Sequence, residues 1–461
     1  MTVTVEADYL VVGAGAMGMA FADALVANSD ATVAIVDRRH APGGHWLDAY
    51  PFVRLHQASL FYGVASTPLG TGRLQAGGPE AGLQERATAL EILVYYADVL
   101  TTLVATGRVG FFPGCEFDGV HGFRSLVSGT RFTAPHARLV DATYLSGTIP
   151  QSSPPPFGVE PGARVVPVND LVRLTEPPGQ YVVVGAGKTS LDACVWLLQC
   201  GVDPDAICWV RPRDPWLLNR AVVQPDAAIF QGMAADTMEA ALEASDPDDL
   251  FLRLEERGIM LRVDRSVTPA MAKTPTLAHW ELDLLRSITN VVRLGHLRSV
   301  GPGRLSLTGG EVRVSGGAVV VHCAAAGLPT RPLLPIWQPD AIRPRPVRVG
   351  FPCFGAAVSG YVEATRDDDA AKNEVCRPSP YSDTPADWVT MQLIGGAASQ
   401  AMSRAADVKA WANLTTLNPA RIPPDRVDDP AVVAAVTRLR SVIGPARERL
   451  AQLAPAARAD R

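Results

Sequence analysis

Two glycine-rich turns, each between an apolar run and an apolar-periodic helix, constrain this chain more than anything else in it. The first run is 9–12, followed by Gly13, Gly15 and Gly18; the second is 181–184, followed by Gly185, Gly187 and Ser190. A short apolar run bounded by glycine reads as a buried parallel strand. Strand, glycine turn and helix in that order make the phosphate-cradling unit of a dinucleotide fold. The first glycine allows a tight turn, the second lets backbone approach a pyrophosphate, and the third lets the helix close on its strand. The helix N-terminus then offers free N–H groups and the positive end of its dipole. Two such units in one chain predict two nucleotides and electron transfer between them.

The residues after each turn separate the two sites. The strand at 32–36 ends at Asp37, near the distance from the first loop at which an acid reaches ribose hydroxyls. The strand at 206–210 ends instead at Arg211 and Arg213. Arginine there suits a 2′-phosphate and favours NADPH. Lys188, Thr189 and Ser190 open the second helix and join Gly185 and Gly187 as cofactor-binding candidates. Ser190 replaces a third glycine, so either the helix stands further from its strand or the serine is tightly packed. Gly187 to Thr189 is not a phosphate-binding P-loop, because Val182 stands where that motif needs its first glycine.

The expected fold is α/β, with two Rossmann-like dinucleotide-binding domains, the second inserted into the first. The boundaries are 1–155, 156–325 and 326–461, the last completing the first domain and ending in helices. The proline-rich stretch 149–156 marks the crossing. Periodicity predicts helices at 85–105, 236–257, 276–288 and 431–453. In the first of these, Leu90, Leu93, Val94, Ala97 and Leu100 share a face. Further strands are expected at 109–112, 131–133, 137–140 and 318–322.

With 461 residues, 47% hydrophobic and 19% charged, the chain can bury a large core. A net charge of −5 argues against non-specific nucleic-acid binding. The seven cysteines form no C-x-x-C pair, which excludes the usual redox disulfide, and their irregular spacing fits reduced thiols. No Cys/His cluster has zinc spacing, so no metal is expected. The N-terminus lacks a signal peptide's basic start, and no uninterrupted apolar stretch of about 20 residues occurs, so a cytoplasmic protein without a membrane span is expected. Nothing in the sequence sets the oligomeric state.

Beyond Asp37 come Arg38, Gly43, Gly44, His45 and Trp46. This run resembles the Gly-Gly-x-Trp segment of flavin-containing and Baeyer–Villiger monooxygenases, which passes close to the flavin. The stretches at 141–143 and 323–327 resemble the links between domains in those families. The resemblance implies FAD in the first site and NADPH in the second. Their Phe-x-Gly-x-x-x-His fingerprint is incomplete: Phe157 and Gly158 are present, but no histidine follows before His279. The resemblance is therefore to the wider superfamily of flavoproteins that bind two dinucleotides.

The stretch 50–62 is dense in aromatic and polar residues and is the candidate flavin-ring pocket. Arg54, His56 and Gln57 are its candidate catalytic groups, able to donate to the ring edge or to a peroxide. The reading is an NADPH-using FAD monooxygenase that forms a flavin C4a-(hydro)peroxide from O₂ and oxygenates a small organic substrate. Two alternatives stay open: a flavoprotein reductase or dehydrogenase without oxygen insertion, and a nucleotide-binding redox sensor without turnover.

Overall fold

The computed structural model describes residues 2–325, 331–348 and 350–455. Ala326 and Gly327, the end of the second inter-domain link expected from the sequence, lie outside them.

Four all-parallel strands form the first sheet, in the order Val109–Pro113, Val33–Asp37, Tyr9–Val12, Arg138–Asp141. The first glycine turn leaves the inner strand Tyr9–Val12 and enters helix α1 (Ala16–Asn28). Ligands bind beyond the carboxyl ends of such strands, where the order reverses. The turn stands at that reversal. Helix α2 (Ala89–Ala105) begins at Thr88, whose side chain closes a capping box with Glu91.

A second parallel sheet has the order Arg164–Pro167, Val319–His322, Tyr181–Val184, Ile207–Val210, Val291–Val292. Its glycine turn leads into α3 (Lys188–Gln199). Helices α4 (Ala227–Glu243), α5 (Pro247–Glu256) and α6 (His279–Arg286) follow before the last strand of the sheet. Beyond it the chain returns to the first domain. The N–H of Ile342 donates to the Leu139 carbonyl at 2.9 Å, and the Asp141 N–H donates to the Ile342 carbonyl at 2.8 Å. Helix α7 (Pro352–Thr365) then packs against α1, with Gly360 set so close to Phe21 that a Cβ there would overlap backbone. The inserted-domain fold holds.

The remaining helices are α8 (Asp369–Val375), α9 (Pro385–Arg404), α10 (Ala406–Leu414) and α11 (Pro430–Leu453). Helices α9 and α11 do not simply complete the first domain. They pack on α4 and α5, sharing a core of Trp216, Phe251, Trp388 and Leu450. The C-terminal region therefore spans both parts of the chain.

Two helix expectations change. The stretch 236–257 is two helices, because Asp246 caps α5 by accepting from the Asp249 N–H at 2.9 Å and Pro247 opens it. Helix α2 buries Ile92, Tyr95, Tyr96, Val99 and Leu103, while Leu90 and Val94 are 71% and 54% exposed. The helix is apolar nearly all round, and two tyrosines join the buried side. The Tyr95 hydroxyl meets its hydrogen-bonding needs inside, accepting from the Val64 N–H at 2.8 Å and donating to the Thr67 carbonyl at 2.6 Å. No described helix is long and apolar enough to cross a membrane.

Candidate nucleotide and flavin site

The three glycines of the first loop do different work. Gly13 has φ +104°, a conformation open to glycine and strained for other residues. Gly18 closes the helix on the strand, since a Cβ there would overlap the Gly13 carbonyl oxygen. Gly15 has ordinary backbone angles, and its Cβ would sit 3.5 Å from the Gly44 Cα. Asp37 closes the loop from below. Its Oδ2 accepts from the Ala14 N–H at 2.7 Å and its Oδ1 from the Arg39 N–H at 2.8 Å. At 6% exposure it is first a support for the turn, with one lone pair left on each oxygen for a ribose. Arg38, beside it, is exposed.

In the second loop, Gly185 takes φ +134°. Gly187 is exposed, with no atom within 4 Å of where a Cβ would stand. Open space above a helix N-terminus is what an approaching phosphate needs. Ser190 is fully buried and donates to the Gly187 carbonyl at 2.8 Å, so tight packing is how it replaces a third glycine. Trp209, a residue that glycine spacing did not single out, braces the loop by donating from Nε1 to the Gly185 carbonyl at 2.9 Å.

The arginines after the second strand differ from expectation. Arg211 is only 1% exposed, lies 4.5 Å from the Trp209 ring centroid and pairs with Asp214 at 3.3 Å. It is a buried support and not a rim group reaching for a 2′-phosphate. Arg213 is partly exposed but committed, gripping Asp383 at 2.7 and 3.1 Å. The carboxylates sit in a turn and before α9, and neither was visible as a partner in the sequence. Lys188 also has a partner. It ion-pairs with Asp192 one helical turn on, and Asp192 accepts from the Tyr50 hydroxyl at 2.7 Å. Thr189 lies beside the same tyrosine. The start of α3 is thereby fastened to the candidate ring pocket.

The pocket segment sorts its own residues. Trp46 is buried, and its Nε1 donates to the Tyr62 hydroxyl at 2.6 Å. His45, next to it, keeps part of its surface open to solvent although protein surrounds its ring. Burial, with Arg39 adding to it, pushes its pKa down to about 4. His56 is held well below the usual histidine range by burial and then by the charges of Lys188, Arg220 and Arg86. Both imidazoles are neutral near pH 7, so His56 can donate one hydrogen bond or accept one but is not a ready acid. Gln57 is half-buried, its amide 3.4 Å from the Phe61 carbonyl. Arg54 does not join them. It is exposed, bonds the Arg86 carbonyl at 3.3 Å and lines an outer groove of about 850 Å³ with Phe52, Trp196 and Trp280.

Behind His56 stands a charge cluster that sequence reading missed. Arg220 donates from Nε to the His56 carbonyl at 2.9 Å, to Glu80 at 2.6 Å and to Glu281 at 2.7 Å. Arg86 pairs with Glu80 at 2.5 Å and donates to the Leu55 carbonyl at 2.9 Å. All four charged side chains are at most 8% exposed. Arg220 and Glu281 come from the inserted domain, while Glu80 and Arg86 come from the first. The cluster pins the loop that carries His56 between the two. No local pattern announces it, because its members are 201 positions apart in sequence at the extremes (Glu80 and Glu281).

A model of the NAD(P)-binding Rossmann-like domain matches residues 11–60, the first glycine loop through the candidate ring pocket. Over 462 aligned residues the chain is 41% identical to Uncharacterized protein Rv2000 of Mycobacterium tuberculosis, covering 99% of this chain and 86% of the relative. Uncharacterized protein Mb2023 of Mycobacterium bovis matches to the same extent. The chain belongs to the same family as these two proteins. Among solved structures, it is similar to cyclohexanone monooxygenase from Rhodococcus sp. Phi1 bound to NADP⁺. The identity is 14%, with 97% of this chain and 98% of that chain covered, at a TM-score of 0.46. Bacillithiol disulfide reductase from Staphylococcus aureus is similar at 10% identity, with 79% and 100% covered, at a TM-score of 0.45. Likenesses so distant carry no chemistry to the Rv2000 family. What its members do has to be argued from the site.

Proposed function

We propose that this member of the Rv2000 family is an FAD-binding, NAD(P)H-using oxidoreductase. The observation that supports it best is the pair of glycine turns, each at the carboxyl edge of its own parallel sheet, with the second bound by Tyr50 to the candidate ring pocket of the first. The residues fit the groups. Gly13, Gly15 and the start of α1 would hold the FAD pyrophosphate, with Asp37 and Arg38 at its ribose and Gly44, His45 and Trp46 along the ring side. Gly185, Gly187 and the start of α3 would hold the nicotinamide nucleotide. FAD, when bound, supplies the capacity to accept a hydride and pass on electrons. The chain's part is to place and shield. The Tyr50–Asp192–Lys188 chain sets the second loop against the first, and the Arg220 cluster fixes the His56 loop from behind. Neutral His56 and Gln57 offer hydrogen bonds without adding charge.

Within that class we favour a monooxygenase acting on a small organic substrate, in a cytoplasmic setting. Gln57 and the neutral His56 beside Lys188 are the donors available to hold a reduced oxygen species. The coenzyme is read as NADPH on Arg213, which would exchange Asp383 for a 2′-phosphate, since Arg211 is buried against Trp209. The test is anaerobic titration of the FAD-loaded protein with NADPH, then oxygen. Rapid flavin bleaching supports an oxidoreductase, and stoichiometric substrate oxygenation supports the monooxygenase. Bleaching with only hydrogen peroxide released favours a reductase, and no bleaching by either NADPH or NADH removes the reading.

A further inference from the structure

The chain between Ile342 and α7 joins the two halves of the first site. At one end, Arg345 stacks over the Tyr144 ring with its guanidinium carbon 4.4 Å from the centroid. Thr143, next to that tyrosine, lies against Gly13 of the glycine loop. At the other end, Phe351 packs edge-on against Phe61 at 5.2 Å, in the candidate ring pocket. Arg348 lies between these ends, in the turn that opens α7, where its carbonyl accepts from the Phe351 N–H at 3.2 Å.

The Arg348 side chain makes no hydrogen bond and no ion pair among the described residues, and its Nε is sealed from solvent without a partner. Its nearest aromatic company is Phe354, at 5.8 Å from the guanidinium carbon to the ring centroid. Arg348 as a whole is half-buried, whereas the buried arginines Arg220, Arg86 and Arg211 each have a carboxylate. A guanidinium N–H sealed from water without an acceptor is costly to keep. Burial alone pushes the Arg348 pKa down to about 10, still charged at neutral pH. An unpartnered arginine on the stretch of chain that runs from beside the glycine loop to the ring pocket suits an anion that arrives with the ligand.

We propose that Arg348 is the counter-charge for the bound flavin nucleotide, receiving negative charge from its pyrophosphate or its reduced ring. The proposal rests on FAD occupying the first site. Neutral Arg348→Met and charge-preserving Arg348→Lys variants test it, through FAD affinity by flavin-fluorescence quenching, riboflavin affinity in parallel, and the flavin midpoint potential. Arg348→Met should weaken FAD roughly 10- to 100-fold, the range for one charged hydrogen bond, with Arg348→Lys recovering part of the loss. If the pyrophosphate is the partner, riboflavin binding stays unchanged. If the reduced ring is the partner, the midpoint potential falls in the Met variant. Unchanged FAD affinity and unchanged potential in Arg348→Met overturn the proposal. Should Arg348→Met not fold, Arg348→Gln takes its place under the same criteria. A wild-type protein that binds no FAD sinks the reading of the site instead.

Discussion

Replacing Gly187 by alanine separates the two jobs a fingerprint glycine can have. The residue caps α3 with φ −87° and ψ −177°, angles alanine adopts freely. A Cβ there meets no protein atom within 4 Å. The folded protein without nucleotide should therefore change little, by about the several tenths to 1 kcal/mol that an alanine N-cap costs against glycine. The new methyl group projects from the loop where a nucleotide's phosphates would approach the helix N-terminus. Displacing a phosphate from one backbone N–H loses a charged hydrogen bond of about 1.5–3 kcal/mol, or roughly 10- to 100-fold in affinity. The assay is NADPH titration by intrinsic fluorescence, beside a thermal melt of the nucleotide-free protein. Gly187→Ala should melt near the wild type and bind NADPH at least tenfold more weakly. Undiminished NADPH binding would refute the argument that the coenzyme's phosphates lie on this loop.

Gly18→Ala should behave in the opposite way, lowering the melting temperature of the nucleotide-free protein, because its Cβ overlaps the Gly13 carbonyl oxygen; overpacking of this kind costs about 1–3 kcal/mol. Arg220→Met leaves Glu80 and Glu281 buried with fewer partners and should cost on the order of 3–5 kcal/mol in urea denaturation, a loss that a surface role for Arg220 would not produce. His45 has a folded pKa of about 4, below its unfolded value, so the unfolded state binds more protons between those two values. Stability should therefore fall as pH drops from about 6.5 towards 4, and His45→Gln should flatten that part of the curve; a wild-type curve rising with acid would contradict the sign.

The sequence by itself determined the two parallel sheets, the glycine turns and the insertion of one domain into the other. Those features rest on short-range physics: apolar runs make buried strands, and glycine alone tolerates φ +104° at Gly13. The strands at 109–112, 131–133 and 318–322 were legible for the same reason, and so was α11. Local patterning ran out where partners are distant. Helix α2 carries apolar side chains on most of its surface, and only the packed neighbours chose the face with Tyr95 and Tyr96. The break before α5 did have a local signal, in Asp246 and Pro247, which periodicity alone overlooked.

The candidate site depended most on tertiary structure. Arg211 and Arg213 carry the same charge two positions apart, yet one is buried under Trp209 and the other is paired with Asp383. Arg54 and His56 are near neighbours in sequence, but one lines an outer groove and the other sits on the Arg220 cluster. Arg348 carried no motif at all. A side chain's charge is written in the sequence, but whether that charge is paired, desolvated or left waiting is decided by what the fold brings beside it.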